Sequence, residues 1–213
     1  MESTPASIWK TAEHALDYLK RADGIPHRVE GEGVMLDVIP SSATRILDVG
    51  SGNGRLVKLI KAARPHVKSV ALDFSPPMLA ALHANFSGDP TVAIVSHNLD
   101  QPLPDLGQFD AVVSSLAIHH LKNPRKRALY GEIYDVLVPG GVFLNLEHVS
   151  SPTAELHEFF LVRHTARRNQ DDPSNIYLDM EAQLQWFREI GFTNVDCYWK
   201  WLELALIGGK RPA

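Results

Sequence analysis

Residues 46–54 read ILDVGSGNG, and this stretch decides the fold. The apolar run that it continues, residues 44–49, has the length and composition of a buried β-strand, and residues 53–63 carry apolar side chains at helical spacing. Glycines between a strand and a helix let a ligand approach the backbone, and the helix N-terminus offers unpaired N–H groups. We therefore expect a ligand-binding loop at residues 50–54.

The spacing of the glycines and two nearby acids narrow the class of ligand. The dinucleotide-binding fingerprint requires a third glycine at position 55, where this chain has Arg55. Asp48 precedes the first glycine by two residues, and its carboxylate suits a cationic ligand better than a pyrophosphate. Asp73 closes the next predicted strand, about 20 residues after Gly54, from where a carboxylate accepts both hydroxyls of a ribose. Together these acids predict an adenosine that carries a positive charge.

Strand and helix patterns alternate on both sides of this loop. Helical segments between successive strands imply right-handed crossovers and a parallel sheet that is covered on both faces. The last two strand patterns are too close in sequence for a helical crossover, so we expect them to pair antiparallel. The predicted strands span residues 44–49, 68–73, 91–96, 109–114, 142–146, 192–199 and 202–207.

Helical patterns precede and follow this core. The first is predicted from Ser7, as N-cap, to Ala22, and a weaker second pattern is interrupted by Gly31 and Gly33. Pro139 with the two glycines after it is expected to stop a helix before the fifth strand. We predict one domain over residues 1–213, and its parts are a helical cap (1–40), a cofactor-binding core (41–148), a substrate-side helical insertion (149–176) and a closing helix with a strand pair (177–213).

Composition excludes several classes of protein. The 213 residues are 45% apolar and 22% charged, which is ordinary for a globular chain and excludes disordered, collagen-like and coiled-coil proteins. The formal net charge of −4 creates no general attraction for nucleic acid or anionic lipid, so a small-molecule partner is favoured. The chain has a single cysteine, and no apolar run approaches the roughly 20 residues of a membrane helix, so we expect a cytoplasmic protein with no membrane partner.

Five motifs in order resemble the class I S-adenosylmethionine-dependent methyltransferases. They lie within residues 44–146, at 48–54, 73–75, 109–114, 117–121 and 137–141. The resemblance implies a Rossmann-like α/β fold, with a seven-stranded, mostly parallel sheet whose last strand is antiparallel, preceded by an N-terminal helical cap. It also implies S-adenosyl-L-methionine as cofactor and transfer of its methyl group to a nucleophile on a small molecule.

The resemblance also implies which residues bind the cofactor. Asp73 would hold the ribose hydroxyls and Phe74 would cover one face of the adenine. The family usually has an acid after the third strand for the adenine amino group; this chain has Asn98 there, with Asp100 as a competitor. Ser114 and Leu116 would flank the methionine end. The full set of predicted cofactor-binding residues is Asp48, Gly50, Ser51, Gly52, Asp73, Phe74, Asn98, Leu99 and Ser114.

Three histidines are candidates for a catalytic base: His119, His120 and His148. Histidine titrates near neutral pH, and all three follow strands whose carboxyl ends share one edge of the sheet. In the competing interpretation, one of the paired histidines is buried in its loop and the other is solvated. Glu147, His148 and His157 also suggest a metal site, but their spacing matches no compact ligand motif, so no metal is predicted.

The acceptor and the partners are less constrained. The basic residues that begin the helix after position 122 are predicted to form its solvated face, and nucleic acid is an unlikely partner for an acidic chain. Those residues are Lys122, Arg125, Lys126 and Arg127. Alternatives with the same fold are a tRNA-modifying enzyme, an enzyme of the carboxy-S-adenosylmethionine type, and a non-catalytic cofactor-binding subunit. The methylated atom and the oligomeric state stay open.

Overall fold

The computed structural model describes residues 8–9, 11–165 and 172–213. Its centre is a seven-stranded sheet in the order β3-β2-β1-β4-β5-β7-β6. The strands are β1 (Arg45–Val49), β2 (Lys68–Asp73), β3 (Val92–Ser96), β4 (Phe109–Ser115), β5 (Leu137–His148), β6 (Thr193–Trp201) and β7 (Leu204–Lys210). The first five strands are parallel, and β7 is antiparallel to both β5 and β6. The predicted fold class is confirmed.

Seven helices are described. They are α1 (Ala12–Ala22), α2 (Arg28–Val38), α3 (Arg55–Ala63), α4 (Pro76–Asn85), α5 (Asn123–Val136), α6 (Ala154–Thr165) and α7 (Met180–Ile190). A short 3-10 turn, Ile118–His120, follows β4. None of the helices in the described ranges is long and apolar enough to cross a lipid bilayer.

Both faces of the five inner strands are largely buried, which explains their continuous apolar runs, whereas the edge strands β3 and β6 are partly exposed. One face packs on α5 and α7 through fully buried aromatic rings, and the rings of Phe143 and Phe187 stack with centroids 5.1 Å apart. The opposite face packs on α2 and α3, with Met35 and Ile60 fully buried. Burying each such side chain contributes roughly 1.5–3 kcal/mol. The rigid sheet fixes its carboxyl edge, where the loops after β1, β2, β3 and β4 meet.

The first two helices differ from the prediction. Helix α1 begins at Ala12 with Thr11 as N-cap, and the predicted cap Ser7 lies outside the described residues. Helix α2 continues through Gly31 and Gly33, so the predicted interruption at these glycines is wrong. A Cβ at position 31 would lie 2.9 Å from the ring of Trp199, so this glycine allows the helix to approach the sheet closely. Tertiary packing outweighs the low helix propensity of glycine here.

Two further predictions about α5 were wrong. The segment from Pro139 to Gly141 does not separate a helix from a later strand, because β5 begins at Leu137, directly after α5. Lys126 is fully buried instead of solvated, and its Nζ donates to the carbonyl of Ile176. The loop before α7 covers this part of α5, a contact between segments about 50 residues apart that helical periodicity does not reveal. The segment predicted as a helical insertion, residues 149–176, contains α6, and residues 166–171 lie outside the described part.

Candidate active site

A cleft lies at the carboxyl edge of the sheet, between the glycine loop and the first two helices. Its space, including the part open to solvent, is about 990 Å³. Eight of the nine predicted cofactor-binding residues line it: Asp48, Gly50, Ser51, Gly52, Asp73, Phe74, Asn98 and Leu99. Ser114 is fully buried, its Oγ donates to the carbonyl of Val49, and the neighbouring Ser115 lines the cleft in its place.

The glycine loop has the backbone conformation that its sequence predicts. Gly50, Gly52 and Gly54 have φ values of 74°, 56° and 82°, which side chains rarely tolerate. A Cβ on Gly50 would lie only 2.3 Å from the Cβ of Ala117, in the loop after β4. The N–H of Ser51 donates to the carbonyl of Leu72 over 2.8 Å, which ties the loop to β2. The loop is therefore fixed against the ends of both neighbouring strands.

Asp73 is held by the backbone. Its Oδ2 accepts from the N–H of Gly52 over 2.8 Å, and its Oδ1 accepts from the N–H of Ser75 over 2.9 Å. Burial raises the pKa of Asp73, although these backbone hydrogen bonds oppose the shift. Each carboxylate oxygen has lone pairs left for a second donor, so the orientation suits a ligand diol.

Asp48 is a buried carboxyl group with no hydrogen-bond partner for either oxygen within the described residues. The hydroxyl of Ser51 donates to the Asp48 carbonyl instead of its side chain. Burial raises the pKa of Asp48 to about 7, because little water remains to solvate the charge. An unpartnered carboxylate in a cleft favours a cationic ligand, and the ammonium and sulfonium groups of S-adenosylmethionine meet this requirement.

The loop after β3 presents an amide rather than an acid. Asn98 lines the cleft, whereas the competitor Asp100 does not. The Oδ1 of Asn98 accepts from the N–H of Asp100 over 3.0 Å, and its second lone pair and its two N–H donors are left for a ligand. The role of Asn98 at the adenine remains a prediction.

The wall of the cleft on the side of α1 and α2 contains a buried ion-pair network, which the sequence does not predict. Glu32 is 1% exposed; its Oε1 accepts from the Nε of Arg28 over 2.8 Å, and its Oε2 accepts from the Nε of Arg55 over 3.0 Å. Arg28 also donates to Tyr18 and Ser115. Arg55, which breaks the dinucleotide fingerprint, thus joins the glycine loop to α2. Glu32 and Arg55 are 23 positions apart, so local sequence carries no signal of the pairing.

The three candidate histidines occupy different places. His120 lines the cleft, whereas His119 and His148 are buried behind it. The Nδ1 of His119 lies 2.8 Å from Oε1 of Glu147, and the ring centroids of His119 and His120 are 4.1 Å apart. Burial raises the pKa of Glu147. The catalytic roles of the three histidines remain predictions. Among the described residues that line the cleft, His120 is the only one of the three.

His148 belongs to a second polar cluster. Its Nε2 lies 3.0 Å from Oε2 of Glu203, whose Oε1 lies 2.9 Å from Nδ1 of His157. Burial by itself would raise the pKa of Glu203. Hydrogen bonds from these histidines and from Ser151 outweigh this effect and lower the pKa. Within the part of the chain that the structure describes, no group of three or more histidine, cysteine, aspartate or glutamate side chains could hold a metal ion.

His120 has a neutral ring. Its pKa is well below the usual value, because burial disfavours the charged form and His119 adds repulsion. Its Nδ1 lies 2.9 Å from the hydroxyl of Ser174. Its Nε2 has no hydrogen-bond partner among the described residues. A neutral imidazole with one nitrogen held and the other free has the arrangement of a general base.

Leu116 connects the two halves of the cleft. It is one of four non-glycine residues with positive φ in the described structure, at 56°, and its N–H donates to the carbonyl of Leu146 over 2.8 Å. Such strained backbone is concentrated at functional sites. It turns the chain sharply after β4, so that Leu116, Ala117 and His120 all line the cleft.

Comparisons with known proteins agree with this geometry. A family model described as a methyltransferase domain matches residues 46–141. The demethylmenaquinone methyltransferase of Thermus thermophilus is 36% identical over 110 residues, which are 51% of this chain and 49% of that protein. The carboxy-S-adenosyl-L-methionine synthase of Helicobacter hepaticus is 22% identical over 92% of this chain and 90% of that protein.

A solved structure shares the fold. Human N-acetylserotonin methyltransferase in complex with S-adenosylmethionine superposes with a TM-score of 0.72 at 17% identity, over 100% of this chain and 60% of that chain. The match to the Thermus relative spans about half of that protein's length. The family model and these relatives identify residues 46–141 as a methyltransferase domain, and the sheet order of the chain is consistent with that identification.

Proposed function

We propose that the protein transfers the methyl group of S-adenosylmethionine to a small-molecule nucleophile, with His120 accepting the proton of that nucleophile. One observation carries the proposal: His120 lines the same cleft as the glycine loop, Asp48 and Asp73. A cofactor held at the loop and an acceptor beside His120 would occupy one continuous space.

The cofactor half of the cleft has residues that would hold S-adenosylmethionine. Asp73 would accept from the ribose hydroxyls, and Phe74 would cover the adenine. Asp48 would be the counter-charge of the cationic end. When bound, S-adenosylmethionine supplies a methyl group that is already activated on a sulfonium. What the chain contributes is alignment, which is worth up to roughly 7–11 kcal/mol in favourable intramolecular models.

The acceptor half has mostly apolar walls. Trp9, Tyr18, Leu19 and Leu116 line it together with His120. The ring of Trp9 lies edge-on to Tyr18 at 5.2 Å and tilted against His120 at 5.0 Å. Such walls suit a planar, largely apolar acceptor, and the quinone named for the Thermus relative is consistent with this class. We propose that residues 1–40 act as a cap and residues 149–176 as an insertion on this side.

The chemistry of His120 limits the acceptor further. Because its pKa is lowered, the ring is a weak base that is neutral near pH 7. Proton transfer to it is efficient only from an acidic group, since a general base works best when the pKa values match. A phenol or enol fits better than an aliphatic alcohol.

The net charge of −4 supports a partner other than nucleic acid. The free thiol of Cys197 supports a cytoplasmic location.

Calorimetry followed by turnover tests the proposal. The purified protein is titrated with S-adenosylmethionine, S-adenosylhomocysteine and NAD, with Asp73→Ala as the variant. We expect micromolar binding of both sulfur nucleosides, weak or no binding of NAD, and loss of binding in the variant. Turnover is then measured as S-adenosylhomocysteine formed with a panel of phenols, hydroxyquinones and aliphatic alcohols. A folded protein that binds neither nucleoside would refute the proposal.

A second candidate is synthesis of a carboxylated S-adenosylmethionine. The likeness that favours it covers nearly the whole chain, although at low identity. The same calorimetric result is expected for both functions, so the product decides. Mass spectrometry of the nucleoside after incubation with carboxylic-acid donors would show a nucleoside enlarged by one carboxyl group in this case, and S-adenosylhomocysteine with a methylated acceptor in the first.

A further inference from the structure

We propose that Ser174 and Asp172 are positioning residues that hold His120 as the Nδ1–H tautomer and leave its Nε2 for the acceptor. This inference rests on the proposed function for its catalytic meaning. The hydrogen-bond assignment itself can be measured without any acceptor. Both residues lie in the loop between α6 and α7, more than 50 positions after His120, where no sequence motif points to them.

The assignment follows from the number of protons at one hydroxyl group. The Ser174 Oγ lies 2.6 Å from Oδ1 of Asp172, 2.9 Å from Nδ1 of His120 and 3.2 Å from Nε1 of Trp9. An ionised carboxylate only accepts and an indole N–H only donates. The Ser174 hydroxyl therefore donates its single proton in the hydrogen bond to Asp172, and its lone pairs accept hydrogen bonds from Trp9 and His120. His120 must carry its proton on Nδ1.

The charge state of Asp172 supports this assignment. Burial opposes ionisation, but two hydrogen bonds from Ser174, from its hydroxyl and its backbone N–H, lower the pKa of Asp172. His14 lies on the other side, with Nε2 3.2 Å from Oδ2 of Asp172. Asp172 is therefore an acceptor at neutral pH. A protonated Asp172 would compete for the role of donor to Ser174 and leave the tautomer undefined.

The loop is fixed to the same turn that carries His120. The N–H of Ile176 donates to the carbonyl of His119 over 2.8 Å, and Lys126 donates to the carbonyl of Ile176. Ser174 is 1% exposed. A hydroxyl that is buried and anchored on both sides keeps its direction, which is what a residue that orients a catalytic base requires.

The tautomer can be read directly by NMR. Protein labelled with nitrogen-15 at histidine gives a long-range correlation pattern for each of the 10 imidazoles, and His120→Asn identifies the signals of His120. We expect the Nδ1–H pattern in the wild type. Asp172→Ala should shift it toward Nε2–H, because it frees the serine proton to point at Nδ1. Ser174→Ala should shift it less, because the Ser174 carbonyl, 3.4 Å from Nδ1, is still an acceptor. Ser174→Thr keeps the hydroxyl and should keep the pattern.

A buried serine remote from the cleft is the matched control. Ser69 is 2% exposed, lies on β2, and its Oγ has no partner among the described residues, so Ser69→Ala should leave both tautomer and turnover unchanged. With an acceptor in hand, Ser174→Ala should lower kcat about 10- to 100-fold, which is less than the roughly 100- to 10,000-fold that a general base supplies in full. The Kd for S-adenosylmethionine should stay within about twofold, because Ser174 is outside the cofactor half.

The outcomes separate the two proposals. An Nε2–H pattern in the wild type, or a pattern that Asp172→Ala leaves unchanged, would overturn the positioning role, whether or not methyl transfer is found. Wild-type protein that has the Nδ1–H pattern but transfers no methyl group would overturn the proposed function and support the assignment at His120.

Discussion

Asp48 and Asp73 lie near the carboxyl ends of neighbouring parallel strands, yet their carboxyl groups differ in hydrogen bonding. Both oxygens of Asp73 accept hydrogen bonds from backbone N–H groups, whereas both oxygens of Asp48 lack a partner among the described residues. Residues 48 and 71 pair in the β1–β2 register, so the two acids lie close together at the edge of the cleft. This difference supports the proposal that Asp73 receives hydroxyl groups of the cofactor and Asp48 its positive charge.

Replacing Asp73 should weaken cofactor binding strongly. Asp73→Ala removes an acceptor of ribose hydroxyls and frees the N–H groups of Gly52 and Ser75. Hydrogen bonds to a charged group contribute about 1.5–3 kcal/mol each, so we expect the Kd for S-adenosylmethionine to rise at least about tenfold. Calorimetry measures it, and Asp100→Ala, which lies outside the described lining, should change Kd less than about twofold. A larger effect at Asp100 would assign the ligand contact to that residue instead.

Cofactor affinity should depend on pH through Asp48. Its pKa is raised to about 7, so below that pH the carboxyl group is protonated and a cationic ligand must expel the proton to bind. We expect affinity to fall by up to about tenfold per pH unit below the pKa and to level off above it. Calorimetry in buffers of different ionisation enthalpy should detect proton release near pH 6. Asp48→Asn should bind more weakly and lose both the pH dependence and the proton release.

The same substitution should stabilise the ligand-free protein. A carboxyl group whose pKa is higher in the folded state binds more protons there, so its contribution to stability falls as pH rises from the unfolded value toward about 7. An amide side chain at position 48 would carry no charge to bury. We expect Asp48→Asn to increase the free energy of unfolding by roughly 1–3 kcal/mol at alkaline pH and less at acidic pH. Urea denaturation at both pH values measures it, and equal effects at the two would argue against a buried charge.

The sequence predicted the sheet because its signals are local. Each feature that decides the fold lies within a short stretch of sequence, namely the loop at 50–54, Asp73 and the alternation of strands with helices. Hydrophobic periodicity predicts the strands and helices directly. The pairing of His120 with Ser174, and of Glu32 with Arg55, joins segments far apart in the chain, and no periodicity records such contacts. Lys126 is a further example of a contact that periodicity does not record. It lies on the polar face of the helical pattern, but the loop before α7, about 50 residues further along the chain, packs on it and buries it.

Glu32 should contribute strongly to the stability of the folded protein. Glu32 is 1% exposed, and its carboxylate pairs with two cations. One is Arg28, which is 5% exposed, and the other is Arg55. Removing one partner of a buried ion pair leaves an uncompensated charge and costs about 3–5 kcal/mol. Glu32→Gln should therefore lower the midpoint of urea unfolding markedly. Glu181→Gln breaks the exposed pair with Arg188, and we expect it to cost less than about 1 kcal/mol. Similar losses in both variants would contradict a buried network.

Two glycines in the same helix should respond in opposite directions to alanine. Gly33 has no atom within 4 Å of a Cβ built on it, so Gly33→Ala should stabilise α2 by about 0.5–1 kcal/mol through helix propensity. At Gly31 the new methyl group would lie 2.9 Å from the ring of Trp199 and 3.0 Å from Leu146, so the helix must move away from the sheet. We expect Gly31→Ala to cost about 1–3 kcal/mol, as overpacked sites do. Paired urea titrations decide the matter, because a stabilised Gly31→Ala variant would mean that α2 does not approach the sheet this closely.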